Sequence, residues 1–453
     1  MCLRLPFDIV VEQCVHRLTM PVDFKPGGSP LAYPSRGSGF LAWLGIWALC
    51  CAIVSGFVLL IWPASMPANG VFFWFCVAGV PNGFFLILAG FARAVYETAY
   101  LHALYGNQHR QKWNRERVAY AQRPLYVLDY AYHLPLGAEK LALAVLSGKP
   151  LIAMQNTRTG VDRVLHMRFP DSESLVATAD ADDDLEAEIA TPMNASNVEA
   201  GPTAQDGFCG ILRQLLLPLA NSLRALSRSD SKHSPAVRLV VNDPDVACRR
   251  LEQLSDALAV LSLPPLECDV AHVSDGLMLV DAWLDANERR PLLVIAAEWH
   301  DKSPLAGSTE GGVAVLLSSG ASIGPPAAVA TLHRPVAVNL DSLGDGITNA
   351  ILWGNTTAAK VKRSWVTGIN LEDDPTLASA FSKASLSTVD DPHAYVSPGR
   401  IVGHLGPGAG WLAIAAAIES GMNDPQLIIN RTETVQSAVL YAHPRSTHED
   451  RAQ

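Results

Sequence analysis

The chain has 453 residues, a formal net charge of −10, 49% apolar and 17% charged residues. That length supports two or three core-forming units. The acidic balance excludes a nucleic-acid-binding role, which needs a basic surface to neutralise phosphates. The eight cysteines, at 2, 14, 50, 51, 76, 209, 248 and 268, form no C-x-x-C pair. Neither a disulfide framework nor a zinc site is expected, and a reducing cytosolic setting fits best.

Residues 1–38 read as a cytoplasmic N-terminal segment, in which Met20 competes with Met1 as the start. Residues 40–62, FLAWLGIWALCCAIVSGFVLLIW, carry no charge and can cross a hydrocarbon core of about 30 Å at about 1.5 Å per residue. After the uncharged connection Pro63–Gly70, residues 71–92 form a second apolar run, interrupted by Pro81-Asn82-Gly83. A span tolerates such a break where a neighbouring helix satisfies the freed backbone groups. A transmembrane hairpin over 39–95 is therefore expected, with spans at about 39–62 and 71–92. Lys25 and Arg36 precede it, and Arg93, Arg110, Lys112, Arg115, Arg117 and Arg123 follow it, while the connection carries no charge. The positive-inside rule then puts both ends, and the soluble region, on the cytoplasmic side. A cleaved signal peptide is not expected, because the apolar run starts late and is too long. Residues 96–123 read as a juxtamembrane helix whose basic cluster faces lipid headgroups.

From Pro124 onward strands and helices alternate, the pattern of an α/β fold. Strands are expected at Leu125–Tyr132, Val237–Val241, Leu266–Val270, Pro291–Ala297 and Gly311–Ser318. Helices are expected at Gly137–Leu146, Ile211–Leu226, Val246–Leu261 and Gly276–Ala286. The strands read as continuous apolar runs, as strands buried on both faces do. Residues 171–206 are acidic and poor in large apolar groups; they form an acidic loop that cannot bury enough surface to order itself. Their carboxylates, like Asp390-Asp391-Pro-His393, lack the spacing of a metal site, so no metal is expected. His300-Asp301, after the strand end Ala296-Ala-Glu-Trp, reads as a solvated turn.

Five segments resemble, in order, the motifs of β-ketoacyl synthases in the thiolase-like superfamily. Leu125–Gly137 followed by Gly148-Lys149-Pro150 is similar to the opening strand, "TPLG" turn and "AGKS" helix end. Ser274-Asp-Gly-Leu-Met-Leu-Val-Asp-Ala282 resembles the stretch after the nucleophilic cysteine. Leu292–Glu298 with Thr309-Glu-Gly-Gly-Val-Ala-Val-Leu-Leu317 is similar to the strand pair around "GEGAxAxVL". Gly368–Phe381 resembles "HGTGT.LGDP.E..AL", and Gly403-His-Leu-Gly-Pro-Gly-Ala-Gly410 resembles the segment bearing the second active-site histidine. The resemblance implies a layered α/β/α/β/α thiolase-like region, with halves at 124–330 and 331–445, a tail at 446–453 and pairing into a homodimer.

The family's reaction requires a cysteine thiolate at a helix N-terminus, two histidines and a lysine. Here the nucleophile slot holds Val273, with Ser274 adjacent and Cys268 upstream. No histidine stands near Trp365-Val-Thr-Gly368, and the lysine slot in Ser397-Pro-Gly-Arg-Ile401 offers Arg400, which cannot deprotonate. Only His404 remains. The slots Val273, Ser274, Arg400 and His404 are thus expected to be degenerate, with no cofactor. The anchor and eroded site also resemble, in architecture, adaptor proteins that load a type VI secretion lipase effector onto the secretion spike. That resemblance implies a protein partner. The alternative is an active acyl-thioester condensing or acyltransfer enzyme, with Ser274 or Cys268 as nucleophile and His404 as base.

Overall fold

The computed structural model describes residues 30–35, 39–158, 160, 162–170, 207–229, 234–320, 327–386 and 395–443. The acidic segment 171–206, the Asp390–His393 stretch, the tail 446–453 and most of 1–38 lie outside them. The chain divides into two compact units, one of Asp23–Ala119 and one built from Tyr120 onward.

The first unit is a helical hairpin. Helix α1 (Phe40–Ile61) and helix α2 (Val71–Ala121) are both long and apolar enough to cross a membrane. Pro81 has no N–H to give the carbonyl four residues back, Val77. The backbone answers with a π-helical turn at Phe75–Gly79, and the Ser55 hydroxyl of α1 donates to the Val77 carbonyl at 2.7 Å. Asn82 donates to the Ala78 carbonyl at 2.7 Å and accepts the Trp47 indole N–H at 2.9 Å. The break at Pro81 is thus satisfied by the opposing helix, as an apolar surrounding demands. Past the apolar run α2 does not stop. The helix expected separately at 96–123 is its distal part, since Val80–Ala121 is one helix, supported by the i,i+4 pair Arg93–Glu97 at 2.8 Å. Along that distal part lies the arm of residues 30–35. The Leu31 N–H donates to Asn107 Oδ1 at 2.9 Å, Asn107 Nδ2 returns a bond to the Leu31 carbonyl at 3.0 Å, and the Tyr33 ring meets Tyr100 at 5.4 Å.

The second unit follows the order β1 (Leu125–His133), α3 (Leu141–Leu146), β2 (Ala153–Asn156), β3 (Arg163–Met167), α4 (Gly207–Ser229), β4 (Ala236–Val241), α5 (Ala247–Val260), β5 (Glu267–His272), α6 (Met278–Asp285), β6 (Leu292–Glu298), β7 (Ser308–Thr309) and β8 (Gly311–Ser318). It continues through β9 (Ala330–Leu332), β10 (Val336–Val338), α7 (Leu343–Trp353), β11 (Arg363–Thr367), α8 (Asp374–Lys383), β12 (Tyr395–Val396), α9 (Pro398–Ile401), α10 (Ala409–Glu419), β13 (Gln426–Arg431) and β14 (Val435–Ala442). The main sheet runs β12-β11-β13-β14-β9-β1-β8-β6-β4-β5, with β10 prolonging β9 along β14; β2-β3-β7 form a small second sheet.

The main sheet is a duplication. In one half β5, β4 and β6 are parallel, while β8 and then β1 run antiparallel to their neighbours. In the other half β12, β11 and β13 are parallel, while β14 and then β9 are antiparallel. The two halves meet at the antiparallel seam β1–β9, in register from Leu125–Leu332 to Val127–Ala330.

Alternation along each strand builds two cores. Leu292, Val294 and Ala296 of β6, with Val313, Val315 and Leu317 of β8, face a central layer containing α6 and α10. Leu293, Ile295, Ala314 and Leu316 face α4 and α5 on the outside. In the second half α7 packs on β14 and β10, and α8 on α7. The succession is helices, half-sheet, central helices, half-sheet, helices: the layered thiolase-like α/β class that the motifs imply.

His133, at the end of β1, stacks on Phe169 at 4.8 Å, and burial pushes its pKa down to about 4. Between the unfolded value near 6.5 and about 4, the unfolded chain holds a proton that the folded chain lacks, so stability falls as pH drops through that window. At about 1.4 kcal/mol per unit this one side chain accounts for about 3 kcal/mol. His133→Phe, which keeps the stack, should lose that part of the acid sensitivity when melting temperature is followed from pH 7 to pH 4.

Candidate functional site

Strand β5 delivers the nucleophile slot to the turn His272–Leu277 at the head of α6. The turn is tightly knit. Asp275 accepts the His272 N–H at 3.1 Å, and the Ser274 hydroxyl lies 2.7 Å from His272 Nδ1. Gly276 holds a left-handed φ of 45°. The buried Gln436 of β14 locks this turn: its Oε1 accepts the Leu277 N–H at 2.7 Å, and its Nε2 donates to the Ser274 and Asp275 carbonyls at 3.1 and 3.2 Å. A Cβ on Gly276 would stand 2.4 Å from Gln436 Oε1, and one on Gly410 would stand 2.7 Å from Asn430 Cγ. Asn430 accepts the hydroxyl of Thr367 at 3.0 Å, and Thr367 belongs to the stretch where the first histidine of the family pattern would fall. The space beside the heads of both central helices is therefore filled by hydrogen-bonded amides. Trp411, which follows the glycine-rich motif, is buried in the central layer.

The other slots lie apart from this turn. Cys268 sits at the start of β5, five residues before Val273 and about 16 Å of extended chain away. Its Sγ is bonded to the Leu266 carbonyl at 3.5 Å, and burial raises its pKa, which disfavours the thiolate. His404 is fixed through its backbone to Gly307 and Thr309, at 2.7 and 3.1 Å. Its Nδ1 accepts the Gly406 N–H at 3.0 Å, which places the ring proton on Nε2. Burial lowers its pKa, so the ring is neutral. Arg400, on α9, is paired with Asp374 at 2.5 Å, and that bond raises its pKa further.

His404 and Arg400 share a cavity of about 830 Å3 at the carboxyl ends of β4, β6 and β11, the position where α/β sheets place ligands. Val273, Ser274 and Cys268 are absent from its lining, which includes Arg250, Glu298 and His300. His300 is not the solvated turn its sequence suggests: it is 8% exposed, while Asp301 is exposed as expected. The cause is Glu310, fully buried and paired with Arg158 through contacts of 3.0 and 2.7 Å. Glu310 also takes the Phe169 N–H at 3.0 Å and the His300 N–H at 3.3 Å. Arg158 in turn lies 3.9 Å over the Trp299 ring. Sequence reasoning missed Glu310, Asn430 and Gln436. The available signal was a polar side chain inside an otherwise apolar strand or at its edge. Among the described residues no group of three or more His, Cys, Asp or Glu could hold a metal.

No protein-family model matches the chain, and no curated protein matches it. Among solved structures it is similar to the ishigamide ketosynthase/chain length factor, at 16% identity over 70% of this chain and 99% of that one, with a TM-score of 0.45. It is similar to the oxazolomycin ketosynthase domain of Streptomyces albus at 12% identity over 71% and 96%, with a TM-score of 0.46. It is similar to 3-oxoacyl-(acyl carrier protein) synthase III of Pseudomonas aeruginosa at 14% identity over 71% and 99%, with a TM-score of 0.38. The chain's own duplicated strand order and two cores define its fold class as thiolase-like.

The contact between Gly276 and Gln436 yields a double-mutant test. Gly276→Ala should cost about 2–4 kcal/mol through strain and overlap. In a Gln436→Ala background, where the overlap is relieved, its further cost should be at least about 1 kcal/mol smaller. Urea unfolding of the purified chain in detergent micelles measures both.

Proposed function

We propose that this protein is a membrane-anchored, catalytically silent ketosynthase-like scaffold that works by binding another protein. The observation that carries this reading is the filled space at the head of α6. Val273 offers no nucleophilic atom, and Gln436 and Asn430 crowd Gly276 in the turn that follows it. An oxyanion would need free N–H donors at that turn, yet the Leu277 N–H is already given to Gln436.

The anchor is the hairpin α1–α2, two spans with the folded unit on the cytoplasmic face of a bacterial inner membrane. The contact between Leu31, before α1, and Asn107, late in α2, supports a hairpin whose two ends share one side. The bound protein is a secreted lipase effector or the spike that carries it, in keeping with the adaptor-like architecture, and the scaffold itself pairs into a homodimer. Isolation of the tagged chain from native membranes should recover one defined protein in stoichiometric amount. A clean preparation that brings down nothing counts against the reading.

One contact favours a second reading. Ser274 Oγ lies 2.7 Å from His272 Nδ1, so His272 rather than His404 is the base within reach. The hydroxyl would attack a thioester carbonyl, pass its proton to His272 and release the carrier thiol, leaving an acyl-serine. The Ser274 N–H also donates to that nitrogen at 3.2 Å, which makes the pair a local turn bond and favours the silent reading. Intact mass spectrometry after incubation with acyl-CoA should give no adduct. An adduct that disappears in Ser274→Ala, or in Cys268→Ala, would establish the enzyme instead.

A further inference from the structure

The cavity at the carboxyl ends of β4, β6 and β11 holds polar chemistry that the binding role leaves unused. Its volume of about 830 Å3 falls in the range of small-molecule sites. Helices α5, α8 and α10 all begin near its wall, through Asp243–Val246, Gly368–Leu371 and Gly406. Their N-terminal N–H groups lend the space a positive potential. Of the charged side chains lining it, Arg400 is held by Asp374, and Asp243 caps the Asp245 N–H at 2.9 Å. Arg249, Arg250 and Lys302 share the lining with the carboxylates Asp243, Glu298 and Asp301, and Arg250 interacts with the last two.

Arg250 is presented as a fixed fork. Its guanidinium lies 3.9 Å over the Phe208 ring, and Gln253 holds one nitrogen at 3.1 Å. Glu298 has no hydrogen-bond partner among the described residues. Burial raises its pKa, and the nearby Arg250 guanidinium acts against that rise. The buried His300 Nδ1 is left without a partner. At the rim Leu305 and Leu371 are 85% and 71% exposed, an unusual presentation of two large apolar side chains beside one opening.

We propose that this cavity binds a small amphiphilic anion, a carboxylate or phosphate monoester bearing a short apolar arm. The head group is taken by Arg250 with Arg249 and Lys302, and the arm lies against Leu305 and Leu371. Positive helix ends and a guanidinium stacked on an aromatic ring select charge and geometry. The leucines select the arm.

Calorimetric titration and thermal unfolding of the full chain in non-ionic detergent test this with butyl phosphate, butyrate, inorganic phosphate, butylamine and butanol. Butyl phosphate or butyrate should bind saturably and raise the melting temperature, and the tighter of the two identifies the head group. Inorganic phosphate should bind at least tenfold more weakly than butyl phosphate, and butylamine and butanol should leave the melt unmoved. Replacing the exposed pair, Arg249→Ala with Lys302→Ala, should weaken binding at least tenfold without changing the unliganded melt. Leu371→Ser should bring butyl phosphate down to the level of inorganic phosphate. No saturable binding by either anion, binding of butylamine as tight as theirs, or affinity unchanged in the Arg249→Ala/Lys302→Ala variant overturns the proposal.

Discussion

Everything in the folded unit depends on a helix with no exposed face. Ten successive residues of α10, Ala409–Ile418, are buried, so this helix must be apolar all round rather than striped. It must also be thin. Sheets packing through an intervening layer leave little room for large side chains on every side, and Gly410, Ala413, Ala415, Ala416 and Ala417 keep most of its surface small. Its first strongly polar residue is Glu419, which accepts the Tyr132 hydroxyl and the Ala142 N–H, both at 2.7 Å. The helix end is thereby fixed to β1 and to α3, and the layer closes where the apolar run closes.

A dry central layer makes each polar group inside it a liability unless it is matched. Gln436 spends its amide on three backbone groups of one turn. Gln426, at the start of β13, accepts the Trp365 indole N–H at 2.8 Å and donates to the Ala417 carbonyl at 3.0 Å. These side chains are as structural as the leucines around them. A buried amide that is fully bonded rigidifies its surroundings, and an enzyme pocket has the opposite need, a cavity with donors left free for the substrate. That contrast is why the turn at Ser274 reads as a closed joint, although the motif resemblance expects a nucleophile beside it.

The long apolar strands were legible because burial on both faces removes polar residues from them: Gly311–Ser318 has the bounds its sequence pattern suggests, β4 begins one residue earlier than expected, and β6 is shifted by one residue at both ends. The hairpin was legible for the same reason. The helix expected from Gly137 begins only at Leu141, because Gly137 takes a φ of 62° that helix cannot accept. The small sheet β2-β3-β7 was not legible. Its strands are short, and β2 is half exposed to exposed along its length, so it carries neither an apolar run nor clean alternation. The site was legible as slots and illegible as contacts. His404 and Arg400 were found through the glycine-rich stretch, whereas the side chains that fill the space come from β13 and β14, more than 150 residues after Ser274 in the chain.

The folded unit therefore holds two polar sites of opposite character only a few strands apart. At the head of α6 the amides are satisfied and the space is gone. At the carboxyl ends of β4, β6 and β11 the space remains, with the buried His300 Nδ1 still short of a partner. Buried groups left incomplete are uncommon in folded proteins, since each costs about 1–3 kcal/mol when its solvation is removed without a replacement bond. A scaffold selected for stability alone would close the second space as it closed the first. Retaining it beside three helix N-termini and a stacked guanidinium is the pattern expected where something outside the chain completes the bonds.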